Sequence, residues 1–292
     1  TMPAPPDGST PAIVNTLQIA DFIGTSLPYS CRDATDCMVG GVNCTAKPCA
    51  ADRLSRSFAQ ARRRTTMHPR LDIEKARYNM VEQQVRTWDV LDQSVLDLLF
   101  IVKREQFVPP AYRALAFADM EIPLRIGDWD SGERMWAPKM EARILQELAI
   151  RSYERVIEIG TGSGYMAALL AHKADDVISV EIEPRLKAFG ESNLQRAGVH
   201  NVAVKLTDGS RGLVDYAPYD VIVVTGSLPI VTSSLTDQLK VGGRLAAVVG
   251  EEPAMVAQII TRVTEDGYDT LNLFETHVKP LRNAPRPSGF KF

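Results

Sequence analysis

Three glycines at alternating positions give the clearest chemical signal in this sequence. Gly160, Gly162 and Gly164 follow the largely apolar run 156–159, which is typical of a buried parallel strand, and a helical run begins at Met166. Glycine lets the backbone approach a ligand closely, and the free N–H groups at the start of a helix attract polar ligand atoms. The pattern therefore predicts a strand–turn–helix unit that binds a nucleotide or nucleoside.

The spacing of the glycines narrows the class of ligand. A dinucleotide-binding turn would have its third glycine where this chain has Tyr165. With Glu158 before it, the Gly-x-Gly-x-Gly form resembles motif I of the S-adenosylmethionine-dependent methyltransferases. A glycine-rich turn without a ligand remains the alternative at this point. The residues predicted to contact the cofactor here are Glu158, Gly160, Thr161, Gly162, Ser163, Gly164 and Tyr165.

Two carboxylates end the next two predicted strands. Glu181 lies 21 residues after Gly160 and could accept hydrogen bonds from both ribose hydroxyls of a nucleoside. Asp208 follows the strand 202–206 and could accept from an adenine amino group. Ligands bind at the carboxyl ends of parallel strands in such sheets, which favours both roles. The alternatives are a solvated strand-end acid for Glu181 and a plain Asp-Gly turn for Asp208.

The elements that must position these residues alternate between strand and helix. The predicted strands are 156–159, 177–180, 202–206, 220–224 and 244–249, and the predicted helices include 184–197 and 232–239, with a turn at Gly242-Gly243. Two further strands, 256–263 and 270–278, have no helix between them and should pair antiparallel. This order predicts an α/β fold, a Rossmann-like doubly wound sheet of about seven strands.

The region before the glycine turn is predicted to form an N-terminal helical subdomain. Asp72 and Asp92 each precede an apolar helical pattern and are expected to cap a helix. Residues 121–134 contain turn-forming residues and are expected to form a loop or loose hairpin. Pro138 is well suited to begin a third helix, because its fixed φ matches the first helical turn.

Residues 1–66 differ in composition from the remainder and are predicted to be a disordered extension, with residues 67–292 forming the methyltransferase domain. The extension has no sustained helical or strand periodicity, and neither a signal peptide nor a membrane span is predicted in it. Zinc binding is the alternative for its cysteines, but their spacing lacks a Cys-x-x-Cys pair, so no metal is predicted. These cysteines are Cys31, Cys37, Cys44 and Cys49.

The charge balance limits the partners of the predicted domain. Residues 67–292 contain 26 Lys/Arg and 31 Asp/Glu, a net charge of −5, without a basic block. An acidic domain of this kind argues against a nucleic-acid partner. The absence of cysteine after residue 49 favours a reducing, cytoplasmic location.

Several segments in order resemble the protein-L-isoaspartate O-methyltransferase family over about residues 72–282. The matching segments are Met80-Val81, 104–109, 158–165, Val180-Glu181, 208–212, 217–225, 238–245 and Val249-Gly250. The resemblance implies a class I methyltransferase fold and S-adenosyl-L-methionine as cofactor, with Ile182, Gly209 and Thr225 added to its contacts. It also implies isoaspartyl-containing proteins or peptides as partners, whose α-carboxylate is methylated as the first step of repair.

One departure from the family pattern bears on the acceptor. Where the family has a serine beside the methyl donor and the substrate carboxylate, this chain has Trp136. The predicted substrate pocket is Met135, Trp136, Ala137, Pro138 and Lys139, and no catalytic residue is assigned. Trp136 is expected either to line a reshaped acceptor pocket or to pack in the core. A methyltransferase of the same fold that acts on a small molecule, and a non-catalytic cofactor-binding module, remain the alternatives for function. The sequence does not predict an oligomeric state.

Overall fold

A mixed sheet lies at the centre of the fold, next to a separate hairpin. The computed structural model describes residues 69–286. Its strands are β1 Ile122–Ile126, β2 Trp129–Met135, β3 Arg155–Ile159, β4 Asp176–Glu181, β5 Val202–Leu206, β6 Tyr219–Leu228, β7 Leu239–Glu251, β8 Ala254–Arg262 and β9 Tyr268–Thr276. β1 and β2 pair antiparallel, and the large sheet has the order β5-β4-β3-β6-β7-β8-β9.

The first five strands of the large sheet are parallel, and the last two run antiparallel to their neighbours. The predicted antiparallel pairing of the last two strands is therefore confirmed. Successive residues of β3 enter different cores, since Val156 packs in one buried cluster and Ile157 in another. Because both faces of the central strands are buried, their sequences are almost wholly apolar.

Helices pack against the sheet, and their apolar side chains form part of the larger of the two hydrophobic clusters. They are α1 Pro69–Met80, α2 Gln93–Ile101, α3 Pro138–Leu148, α4 Tyr165–Lys173, α5 Pro184–Arg196 and α6 Ser233–Thr236, with a π-helical segment Val81–Val85 and 3₁₀ turns Arg86–Trp88, Arg104–Gln106, Pro110–Leu115 and Val214–Tyr216. Asp92 caps α2 as predicted, because its carboxylate accepts from the Ser94 backbone N–H at 2.8 Å. Pro138 begins α3 as predicted. No helix within residues 69–286 is both long and apolar enough to cross a membrane.

Three local predictions differ from the structure. α1 begins at Pro69, so Asp72 lies inside the first turn and does not cap the helix. The predicted helix 232–239 is only the single turn α6. Gly242-Gly243 is not a turn between elements, because both glycines lie within β7. There the register shifts, since β6 partners Tyr219 and Val221 face Leu239 and Arg244, so the extra residues form a bulge.

The predicted extension 1–66 and its cysteines lie outside the described residues. Nothing in the structure therefore tests the boundary at Met67 or the zinc alternative. Within residues 69–286, no group of three or more His, Cys, Asp or Glu side chains is arranged to bind a metal ion.

Candidate active site

A cleft enclosing about 970 Å³, part of it open to solvent, lies at the carboxyl ends of β3, β4, β5 and β6. The predicted cofactor residues that line it are Glu158, Gly160, Thr161, Gly162, Ser163, Glu181, Ile182, Asp208, Gly209 and Thr225. Gly164 and Tyr165 are not among the lining residues. Local sequence patterns thus identified most of one wall of the cleft.

The glycine turn has a backbone that other residues would strain. Gly160 has a φ of +105°, and a Cβ there would lie 2.2 Å from the Thr225 hydroxyl oxygen. That hydroxyl donates to the carbonyl oxygens of Ile159 at 2.9 Å and Gly160 at 2.7 Å. Gly164, with a φ of +79°, precedes α4 and lies against the Gly190 carbonyl of α5. The first glycine therefore joins β3 to β6, and the third lets α4 pack closely on α5.

Tyr165 lies in the core directly behind the turn. Its side chain is fully buried, and its ring packs edge-on against Phe107 with 5.4 Å between centroids. The Arg104 guanidinium lies 5.0 Å from the Tyr165 ring centroid. Burial raises the pKa of the Tyr165 phenol. The observed position anchors the start of α4, and direct cofactor contact by Tyr165 stays a prediction.

Glu181 is held in one orientation by backbone donors. Its Oε2 accepts from the Gly162 N–H at 2.9 Å, and its Oε1 accepts from the N–H groups of Ile182 and Glu183, each at 3.0 Å. Burial raises the pKa of Glu181, and these hydrogen bonds oppose the rise. A carboxylate offers about four lone-pair sites, so it can still accept from a ligand hydroxyl.

Asp208 faces the same cleft from the end of β5. Its Oδ1 accepts from the Ser210 N–H and its Oδ2 from the Asn283 amide, both at 2.9 Å. Burial alone would raise the pKa of Asp208, but these hydrogen bonds outweigh it and hold the pKa below its usual value. Asp208 therefore makes the local hydrogen bond of an Asp-Gly turn and also forms part of the cleft wall.

Glu158 is a buried acid in the wall of the cleft. It is fully buried, and its Oε2 accepts from the Ser179 hydroxyl, which is also hydrogen-bonded to the Thr161 hydroxyl. Its Oε1 has no hydrogen-bond partner among the described residues. Burial raises the pKa of Glu158 to about 8, against the Ser179 hydrogen bond that lowers it. At neutral pH this side chain is therefore mostly protonated and uncharged.

The end of the hairpin forms a second wall of the cleft. Of the predicted substrate-pocket residues, Met135 and Trp136 line the cleft, whereas Ala137, Pro138 and Lys139 do not. Lys139 instead pairs with Asp119 at 2.6 Å. Trp136 is only 4% exposed and belongs to the main hydrophobic cluster, so it both packs in the core and lines the cleft.

A buried ion pair, which sequence analysis missed, lies behind Trp136. Arg104 pairs with Glu141 of α3 and donates a second hydrogen bond, at 2.5 Å, to the Trp136 carbonyl oxygen. Burial raises the pKa of Glu141, to about 7, and the Arg104 charge opposes the rise. Glu141 also lines the cleft. The sequence signal was the segment 104–109, which carried the resemblance but suggested no role for its arginine.

The segment after β9 completes the cleft and was also missed. Residues 278–282 line it, and Ser227 holds them through its N–H to the Lys279 carbonyl at 3.0 Å and its hydroxyl to the Val278 carbonyl at 2.9 Å. Lys279 and Arg282 pair with Glu133 of the hairpin at 2.9 and 2.8 Å. Gly226 lets this segment pass close to β6, because a Cβ there would lie 2.9 Å from the Leu281 Cα.

Fold and site together define a Rossmann-like, S-adenosylmethionine-dependent methyltransferase. A sequence model described as Protein-L-isoaspartate(D-aspartate) O-methyltransferase matches residues 75–279. The protein-L-isoaspartate O-methyltransferase of Methanoculleus marisnigri is 42% identical over 193 residues, covering 66% of this chain and 84% of that protein. Protein-L-isoaspartate O-methyltransferase 2 of Marinobacter nauticus is 37% identical over 211 residues, covering 72% of this chain and 94% of that protein.

Solved structures agree with these sequence relatives. A protein-L-isoaspartate O-methyltransferase structure matches with a TM-score of 0.60 at 25% identity, covering 71% of this chain and 65% of that one. A Plasmodium falciparum beta-aspartate methyltransferase in complex with S-adenosyl-L-homocysteine has the same fold, with a TM-score of 0.60 at 20% identity, covering 72% of this chain and 97% of that one. The chain belongs to the protein-L-isoaspartate(D-aspartate) O-methyltransferase family, as the resemblance predicted.

Proposed function

We propose that this chain transfers a methyl group from S-adenosyl-L-methionine to the carboxylate of isoaspartyl residues in proteins or peptides. The observation that carries the proposal is the shared cleft. Carboxylates suited to a nucleoside, Glu181 and Asp208, line one side of it, and the cations Arg134, Lys279 and Arg282 line the other, where Glu133 pairs with the last two. A carboxylate acceptor needs donors and positive charge nearby, and the hairpin side supplies both.

The residues of the first wall fit the cofactor on three observations. The glycine turn admits a ligand close to its backbone, Glu181 presents fixed acceptor oxygens, and the Glu158 Oε1 lacks a partner among the described residues. We propose that a ribose hydroxyl donates to Glu181 and the adenine amino group to Asp208. The unpaired Glu158 oxygen then suits an N–H group of the cofactor.

The reaction requires the protein mainly to position the acceptor carboxylate against the methyl donor. When bound, S-adenosyl-L-methionine would supply a sulfonium methyl group to a carboxylate oxygen of the acceptor, a C–O bond forming as the C–S bond breaks and its electron pair stays on sulfur. The acceptor carboxyl has an unperturbed pKa near 4, so it is ionised at pH 7 and needs no general base. The residues of this chain align the acceptor and exclude water.

The protonation of Glu158 matters for an anionic acceptor. With its pKa raised to about 8, Glu158 is mostly neutral at pH 7 and does not repel a carboxylate entering the cleft. Arg134, which lines the cleft, is 4.0 Å from Glu121, so its charge is only weakly neutralised. Lys279 and Arg282 are both paired with Glu133, so Arg134 is the cation of the acceptor side best able to attract an anion.

A methyl-transfer assay tests the proposal. Labelled S-adenosyl-L-methionine is supplied with a synthetic isoaspartyl peptide and with the same peptide carrying ordinary aspartate. We expect label only in the isoaspartyl peptide, in an alkali-labile form, because a methyl ester hydrolyses in base. Equal labelling of both peptides, or of neither, would contradict the proposal. Labelling of a small-molecule carboxylate in place of the peptide would favour the alternative acceptor class.

The domain boundary and location also remain proposals. We propose that residues 67–292 fold without residues 1–66, because the two regions differ in composition and periodicity. A chain that lacks residues 1–66 should keep its melting temperature and its affinity for S-adenosylhomocysteine. Loss of either would show that the extension belongs to the fold.

A cytoplasmic location rests on the cysteine-free sequence after residue 49, and no nucleic-acid partner is proposed for the acidic domain.

A further inference from the structure

The three cations that line the acceptor side of the cleft differ in how firmly they are paired. Lys279 and Arg282 pair closely with Glu133, at 2.9 and 2.8 Å. Arg134 has one ion-pair partner in the described part of the chain, Glu121, at 4.0 Å. That separation is the outer limit of an ion pair and is too long for a hydrogen bond. The Arg134 guanidinium therefore keeps its planar fork of N–H donors for another anion.

Glu121 competes only weakly for this guanidinium. The Glu121 carboxyl is partly buried, and burial raises its pKa even though the charges of Arg134 and His277 oppose the rise. A close ion pair would have outweighed the effect of burial. On the neighbouring strand of the hairpin, Arg134 is opposite Pro123, which carries no charge. The surroundings of Arg134 therefore leave much of its positive charge uncompensated.

Arg134 lies where the cleft meets solvent. Its side chain is 55% exposed, whereas Glu158 in the cofactor wall is fully buried. The reacting carboxylate needs the dry part of the cleft, because water would stabilise the ionised nucleophile. A close ion pair would stabilise that nucleophile in the same way, so Arg134 is better suited to a second carboxylate. A peptide acceptor extends out through the cleft opening, which brings the neighbours of its isoaspartyl residue near Arg134.

We infer that Arg134 selects acceptors with an acidic side chain next to the isoaspartyl residue, an inference that rests on the proposed function. Arg134 is then a specificity-determining residue and not a catalytic one, because it contacts a neighbour of the reacting group. Its contribution should appear in KM and leave kcat nearly unchanged. Since salt screens a half-exposed ion pair, the preference should shrink as the ionic strength rises.

The experiment compares isoaspartyl peptides in which one neighbouring residue is Glu, Gln or Lys. One series varies the residue before the isoaspartyl residue, and a second series varies the residue after it. Methyl transfer from S-adenosyl-L-methionine is measured at low ionic strength. For the wild-type chain we expect KM in at least one series to be about two- to fivefold lower with Glu than with Gln, the range for an exposed ion pair. Lys should raise KM by a similar factor.

Two substitutions should move this preference in opposite directions. Arg134→Gln removes the cation, so the Glu and Gln peptides should have equal KM values. Glu121→Gln removes the competing carboxylate, so the preference for Glu should increase. Arg125→Gln is the matched control, because Arg125 is an exposed arginine on β1 of the same hairpin that does not line the cleft. It should leave the preference unchanged.

The outcomes separate this inference from the proposed function. A wild-type chain without activity on any isoaspartyl peptide would overturn the function and the inference with it. Activity with equal KM values for the Glu and Gln peptides in both series would overturn the inference alone. A preference for Glu that persists in Arg134→Gln would also overturn it, because another group would then hold the acid.

Charge reversal gives a second measurement. Arg134→Glu should reverse the order of the peptides, so that the Lys peptide has the lowest KM. The Kd for S-adenosylhomocysteine should change by less than about threefold in each Arg134 variant, which also shows that the cleft keeps its fold. An unreversed order in Arg134→Glu would overturn the inference.

Discussion

The two walls of the cleft differ in how far along the chain their contacts reach. On the cofactor side, the Gly162 N–H meets Glu181 only 19 residues away, and the longer contacts, Thr225 to Gly160 and Asn283 to Asp208, span 65 and 75 residues. On the acceptor side, Arg104 reaches the Trp136 carbonyl across 32 residues, and Arg282 reaches Glu133 across 149. The first wall is encoded in short segments at successive strand ends, and the second is assembled from segments distant in sequence. Substitutions in the two walls should therefore fail in different ways.

The largest expected effect comes from Trp136→Ser, which tests whether the acceptor wall is also part of the core. Because Trp136 packs in the main hydrophobic cluster, we expect a loss of about 3–5 kcal/mol in the free energy of unfolding, as large aromatic truncations produce. Denaturant titration measures it. Trp136→Phe is the control and should lose less, because it keeps most of the ring. A loss below about 1 kcal/mol would show that the indole is not part of the core.

The stability of the chain is also expected to depend on pH, because Glu158 is buried in the cofactor wall of the cleft. Burial raises the pKa of Glu158 from 4.5 to about 8, so between these values the folded chain holds a proton that the unfolded chain has released. The contribution of Glu158 to stability is then greatest below about pH 4.5 and falls as pH rises towards 8, by up to about 1.4 kcal/mol per pH unit.

Glu158→Gln should remove most of this slope, as thermal or denaturant unfolding between pH 5 and 8 would measure. The part contributed by Glu141, whose pKa burial raises to about 7, should remain. An unchanged slope in Glu158→Gln would mean that Glu158 is ionised in the folded chain.

Much of the fold was predictable because its signals are local. The strand before Gly160 and the acids that follow β4 and β5 are read from adjacent residues, and the structure brings Glu158, Glu181 and Asp208 to one cleft. The turn predicted at Gly242-Gly243 was wrong for a physical reason. A glycine pair indicates a turn when read alone, but pairing with β6 at Leu239 before it and at Arg244 after it keeps it within β7 as a bulge.

The acceptor wall was less predictable, because its residues acquire their roles only through tertiary contacts. Lys279 and Arg282 look like solvated cations in the sequence, yet Ser227 brings their segment to the cleft and Glu133 pairs with both. Lys139, by contrast, is next to Pro138 in the predicted pocket, but the first turn of α3 directs it to Asp119. Proximity in sequence did not decide which side chain faces the cleft.

Glu181→Ala should affect the cofactor wall alone. Removing a charged hydrogen-bond acceptor should weaken S-adenosylhomocysteine by about 1.5–3 kcal/mol, or roughly 10- to 150-fold in Kd. Isothermal calorimetry measures the change. Glu191→Ala, an acid on α5 that pairs only with Lys187 among the described residues, is the control and should leave Kd unchanged. An unaltered Kd in Glu181→Ala would remove the proposed ribose contact.

The smallest effect is expected where the acceptor wall is tied to the sheet. The buried Ser227 hydroxyl donates to the Val278 carbonyl at 2.9 Å, while its backbone N–H and carbonyl keep their own bonds to Lys279 and Leu281. Ser227→Ala removes one neutral hydrogen bond, so unfolding should become easier by about 0.5–1.5 kcal/mol. Since the remaining bonds still hold segment 278–282, KM for the isoaspartyl peptide should rise only about two- to tenfold, with no change in Kd for S-adenosylhomocysteine.

Ser192→Ala, an exposed serine on α5, is the control for this change and should alter neither quantity. If Ser227→Ala weakened the cofactor as much as the peptide, the two walls would not act separately. The two walls would then differ in how far apart their residues lie in the sequence, but this difference would not determine which ligand each wall binds. If only the peptide KM rises, the segment after β9 belongs to acceptor binding, because its link to the hairpin through Glu133 spans the acceptor side of the cleft.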